Sequence, residues 1–77
     1  MGKKVKMMIF ELIDERNISM RELSRLTSVR PAALNQLANQ KRKNINFGHI
    51  EKIAEALNLD DISKIITLID TDEERDD

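Results

Sequence analysis

Residues 18–40 read ISMRELSRLTSVRPAALNQLANQ, and the rest of the chain reads as support for them. Ser19-Met20-Arg21-Glu22 has the S-x-x-E form of a capping box. In that form the Ser19 hydroxyl accepts from the Glu22 amide while the Glu22 side chain reaches back to the Ser19 amide. Ile18, just before the cap, is placed to staple onto Leu23. The helix is short, because Thr27-Ser28 interrupts it. A second start follows at once: Pro31 suits a first helical position, where a missing N–H costs nothing. That helix runs through Ala32, Ala33, Leu34, Asn35, Gln36, Leu37 and Ala38. Leu23, Leu26, Val29, Leu34 and Leu37 are the apolar positions that let the two helices pack at a steep angle. This is the helix-turn-helix plan, whose second helix enters the DNA major groove.

Outward from this unit, the spacing predicts three more helices. Val5, Met8, Ile9, Leu12, Ile13 and Arg16 fall on one helical stripe. Met7 and Phe10 widen its apolar face, and Asn17 is a left-handed stop. The methionines are expected to fill gaps in the core. Asn39 to Asn44 form a polar, basic loop, after which Ile45 is expected to return to the core. Asn46 caps a further helix whose buried side carries Phe47, Ile50, Ile53, Ala54 and Leu57. Asn58 ends it and Leu59 tucks back. Asp60 or Asp61 then caps a fifth helix with Ile62, Ile65, Ile66 and Ile69 on one stripe and Leu68 beside them. That stripe exceeds what a small monomer needs at its edge, so part of it is read as a dimer seam. The expected fold class is all-α: a compact five-helix domain over residues 1–69, followed by a short disordered acidic tail over 70–77.

Seventy-seven residues make one small domain, near the lower limit for a core that is stable alone. The net charge of −1 divides unevenly: residues 70–77 hold six acids and one arginine, a net of −5, leaving +4 on the other 69 residues. A mildly basic body suits nucleic acid better than the total does. The chain has no cysteine, so disulfides, thiolate nucleophiles and cysteine-based zinc sites are excluded and a reducing cytoplasm is permitted. No run of 18 apolar residues and no signal-peptide apolar region is present, so no membrane role is expected.

ISMRELSRLTSVRPAALNQLANQK, followed by INFGHIEKIAEALNL, resembles the Cro and cI repressor-like (lambda repressor-like) DNA-binding domains. The resemblance covers roughly residues 5–69, with both segments in the family's order and at its spacing. It departs at Met20, usually a phosphate-bonding Gln in the family, and at Ser28, commonly a Gly suited to left-handed backbone. The resemblance implies double-stranded DNA as partner, a homodimer on an inverted-repeat operator, and a bacterial or phage regulator in the cytoplasm or nucleoid. It also implies base contact at Gln36 and at the positions of Pro31 and Ala32, which are apolar here, so direct readout is thinner than usual.

The residues themselves offer a consistent chemistry. Gln36 or Asn35 can bond adenine N6 and N7 together, and the Ala32 methyl suits a thymine methyl. Arg30 sits where it reaches a guanine or a phosphate, and Asn39 closes the same face. Lys41, Arg42 and Lys43 follow in a loop that the family lays along the phosphate backbone, where three cations give affinity without sequence information. The amides near Ser19 form a further phosphate site, since helix N-termini favour anions.

Signs of catalysis are lacking. His49 is the only histidine, Glu51 and Glu55 lie four apart without a nucleophile motif, and the terminal acids lack EF-hand spacing. No enzyme activity, cofactor, metal or small-molecule substrate is expected. The reading is a sequence-specific transcriptional regulator of the repressor type. Its rival is a protein-interaction module on the same fold (an antirepressor, an antitoxin or a phage-switch partner). Met20, Pro31 and Ala32 favour the rival, and the basic loop favours DNA.

Overall fold

The structure is a computed structural model that describes residues 2–71. The elements in order are strand β1 (Lys3–Met7), helices α1 (Ile9–Arg16), α2 (Met20–Thr27), α3 (Pro31–Ala38) and α4 (Phe47–Leu57), a 3₁₀ turn (Ile62–Lys64) and strand β2 (Ile66–Asp70). Four helices therefore accompany a two-stranded sheet, and the all-α, five-helix expectation is corrected at both ends of the chain.

At the C-terminal end, Asp61 does cap, its carboxylate accepting from the Ser63 amide at 2.9 Å. The helix it starts stops after a single 3₁₀ turn, and the chain then extends. At the N-terminal end the helix begins only at Ile9, because residues 3–7 pair with β2. The pairing is antiparallel, from Lys3 opposite Asp70 to Met7 opposite Ile66. Ile, Thr and Val pack well on a pleated surface, and pairing satisfies the main-chain groups of two termini that would otherwise fray. A Lys3–Asp70 ion pair closes the far end. Asp70 is thus the last residue of a strand rather than the first of a tail. The expected disorder of the remaining tail falls on residues 72–77, outside the described residues.

The signals that bound α2 and the C-terminal ends of α1 and α4 stand where the sequence placed them. The Ser19 hydroxyl accepts from the Glu22 amide at 3.0 Å. The reciprocal half of the box is replaced, since the Glu22 carboxylate pairs with Arg25 instead. Asn17, Ser28 and Asn58 end α1, α2 and α4 with φ of 59°, 60° and 55°. Asn46 caps α4 through the Gly48 amide. The Arg16 guanidinium adds a tie across the fold by donating to the Leu57 carbonyl at the C-terminal end of α4.

The core is assembled from β1, the four helices, the α2–α3 turn and Ile65 just before β2: Met7, Ile9, Leu12, Leu23, Val29, Leu34, Leu37, Ala38, Ile50, Ile53, Leu57 and Ile65 are buried. Ile65, assigned to the dimer seam, is in fact a core residue at 1% exposure. Ile66 and Ile69 are half-buried on the sheet, while Ile62 and Leu68 stand exposed. Three other expectations fail. Leu26, assigned to the packing of α2 against α3, is 42% exposed. Phe47, at the first position of α4, is 77% exposed, because it lies one turn before Ile50 and beyond the packed layer. Ile45 stays at the surface in the loop before it.

Three carboxylates are held below their ordinary range. Glu11 is lowered by a main-chain N–H at the start of α1 and by Lys6, Glu22 by Arg25, and Asp61 by the Ser63 amide and hydroxyl. Groups depressed in this way stabilise the fold above their unfolded pKa and cease to do so as pH falls through the folded value. Urea midpoints are therefore expected to fall below about pH 4, the acid side of the ordinary carboxylate range. All three groups lie at the surface, so the loss is expected to be gradual.

Candidate nucleic-acid interface

The turn between α2 and α3 is built by hydroxyls. Ser28 adopts the left-handed conformation, with φ 60° and ψ 25°. The Ser24 hydroxyl donates to the Val29 carbonyl. The Thr27 hydroxyl donates to the Leu23 carbonyl at 2.8 Å and accepts from the Val29 amide at 3.2 Å. Every polar group around the buried Val29 is thereby answered, and the direction in which α3 leaves the turn is fixed.

Below α3, Leu34, Leu37 and Ala38 are buried. Above it, Arg30, Pro31, Ala32, Asn35, Gln36 and Asn39 are all exposed. Positions 32, 35, 36 and 39 follow i, i+3, i+4, i+7 and so lie on one face. The sequence-selected residues of α3 therefore come together. Ser19, at the exposed start of α2, and Lys41, Arg42 and Lys43, in the exposed loop after α3, flank them in the chain. Met20 is half-buried against the core, so this position contributes packing.

Two contacts organise the exposed amides. Arg42 Nε donates to Gln36 Oε1 at 3.2 Å, which turns the Gln36 amide nitrogen outward. A carboxamide oxygen has two lone pairs, so Gln36 retains one acceptor site as well as its donors. Asn39 Nδ2 is engaged by the Asn35 carbonyl at 2.9 Å. It closes the end of α3 and leaves Asn35 and Gln36 as the freer amides.

Gln40 and Lys4 escaped the sequence reading. Gln40 has φ 55° and points its carboxamide at the outer edge of β1. Its Oε1 accepts from the Met7 amide and its Nε2 donates to the Val5 carbonyl, both at 2.9 Å. A side chain thus stands in for a third strand and ties the sheet to the end of α3. No sequence signal pointed to this, because the partner strand was read as helix. An open groove beside α3 is lined by Lys4, Gln36, Gln40, Arg42 and Lys43, which brings a cation of β1 to the same surface as the basic loop. Alternation of charge in KKVKM was the only available hint of Lys4.

Replacing Gln40 by Ala strands the buried Met7 amide and loses two hydrogen bonds. A loss of about 2–3 kcal/mol in unfolding free energy is expected, together with faster amide exchange at Met7.

A short helix pair with a hydroxyl-locked turn, a packed underside and a polar, cation-flanked outer face defines a helix-turn-helix DNA-binding domain. The model of the Cro/C1-type helix-turn-helix DNA-binding domain matches residues 8–71, and the chain belongs to that family. No curated protein and no solved structure matches it. Among the described residues no helix is long and apolar enough to cross a membrane.

Proposed function

We propose that this chain is a repressor-type transcriptional regulator that lays α3 in the major groove of double-stranded DNA. The observation that carries the reading is the exposed face of α3, continued by the loop Lys41–Lys43, on a helix whose other face is locked into the core. Gln36 and Asn35 read base edges, adenine being the base whose N6 and N7 a carboxamide bonds together. The Ala32 methyl and the Pro31 ring meet the apolar edge of the groove, and Arg30 takes a guanine or a phosphate. Asn39 holds the end of the helix. Lys41, Arg42 and Lys43 follow the phosphate backbone with Lys4 beside them, and the Ser19 end of α2 takes a phosphate on the other flank. The protein acts as a homodimer on an inverted repeat whose half-sites lie about 34 Å apart. A bacterial or phage setting, in the cytoplasm or nucleoid, fits such a regulator.

Selection of bound sequences from a random duplex pool tests this. Enrichment of a palindrome supports the proposal. A folded protein that enriches nothing would sink it and favour a role in which the same fold binds a regulatory protein partner.

A further inference from the structure

Residue 40 carries a long side chain where the backbone favours none. At the end of α3 the Gln40 amide donates to the Leu37 carbonyl at 3.2 Å and the Lys41 amide to the Gln36 carbonyl at 3.0 Å. That pair of bonds is the helix-ending motif whose pivot residue sits in left-handed backbone and is usually glycine. Gln40 is the pivot, with φ 55°. Glycine adopts this conformation without strain, whereas a residue with a Cβ does so at a cost. The side chain must therefore contribute something that glycine cannot. Its one carboxamide answers both the Val5 carbonyl and the Met7 amide, each at 2.9 Å.

We infer that Gln40 is a positioning residue for phosphate binding. By fastening the start of the loop Lys41–Lys43 to β1, it brings the loop cations and Lys4 onto one stretch of DNA backbone. Gln40 itself touches no phosphate. The inference rests on the DNA reading above and says what shapes the phosphate-binding surface.

The cations of that surface come from two distant segments of the chain. In β1, Lys3 pairs with Asp70 and Lys6 with Glu11, which leaves Lys4 without an acidic partner among the described residues. Lys4 lines the same open groove as Gln40, Arg42 and Lys43. Among the described residues, the two bonds of Gln40 are the hydrogen bonds that join β1 to the end of α3. Without them the loop is hinged at its α3 end alone, and DNA would have to order it on binding. A loop held in place beforehand loses less freedom at that step.

The test measures binding of the full chain to a non-specific duplex by fluorescence anisotropy across a salt series. Gln40→Gly keeps the left-handed turn and removes only the bridge. It is expected to stay folded by circular dichroism, to bind roughly fivefold more weakly at physiological salt and to reduce the magnitude of the log–log salt slope by about 1. A merely structural role would lower the thermal midpoint and leave the slope of the folded protein unchanged. Gln40→Asn also tolerates left-handed backbone but is one methylene too short for the bridge. It is expected to behave like the glycine variant and stands in for it should that one fail to fold. Lys4→Ala is expected to reduce the slope by about 1 as well. Because both changes remove the same contact, the Lys4→Ala, Gln40→Gly double variant should lose little more than either alone. Folded residue-40 variants with the wild-type slope, or a double variant whose loss is the sum of the two, would overturn the positioning role and leave the DNA reading standing. A wild type that binds no duplex at any salt would overturn both.

Discussion

Leu34→Ala is expected to lower the unfolding free energy by about 3–5 kcal/mol and to abolish binding to every DNA sequence at body temperature. Leu34 is fully buried on the underside of α3, so truncation opens a cavity between that helix and the layer beneath it. A chain of this size has about 4–12 kcal/mol in all, at 0.05–0.15 kcal/mol per residue. The loss therefore takes a large part of the total. At about 4–8 °C per kcal/mol for a domain this small, the thermal midpoint should fall by more than about 12 °C. The contrast lies two residues further along the same helix. Gln36→Ala, on the outer face of the same turn, should alter stability by no more than about 0.5 kcal/mol and yet change which duplex is preferred. A Leu34→Ala protein of normal midpoint would mean that α3 is not held by its buried face.

Replacing Lys41, Arg42 and Lys43 together by Ala should weaken DNA binding roughly a hundredfold at physiological salt and reduce the magnitude of the log–log salt slope by about 3. All three side chains are exposed in the loop, so the variant should remain folded. The single substitutions separate two roles. Lys41→Ala and Lys43→Ala should weaken all sequences alike, as phosphate contacts do. Arg42→Ala also releases Gln36 from its 3.2 Å hydrogen bond and should blur base preference at one position. Titrations by fluorescence anisotropy at several salt concentrations read both effects, and an unchanged slope would remove the loop from the interface.

The centre of this fold was legible because its signals are local. Ser19, Pro31, Asn46 and Asn58 act within a few residues of themselves, and each stands where its chemistry placed it. The ends were misread because one spacing served two periods. Ile62, Ile65, Ile66 and Ile69 fit a helix at i, i+3, i+4 and i+7, yet Ile66-Thr67-Leu68-Ile69, three of them β-branched, reads equally as a strand. The deciding fact is a partner some sixty residues away at Lys3–Met7, and no local pattern carries that. The misplacement of Ile65 in a dimer seam followed from the helical reading. The face of α3 was legible for the same reason that its helix was. Gln40 and Lys4 depend on the sheet and were hidden with it. Phe47 was misplaced because a stripe predicts which side of a helix is apolar, not whether anything packs over its first turn.

The central claim is that α3 and the loop after it form the DNA surface. Amide shift mapping of the labelled chain, titrated with its selected duplex at moderate salt, tests that claim most directly. The largest changes are expected at Arg30 to Asn39, at Lys41 to Lys43 and at the Ser19 end of α2, with α4 from Ile50 to Leu57 little affected. Changes centred on α4 or on β2, with α3 silent, would contradict the account.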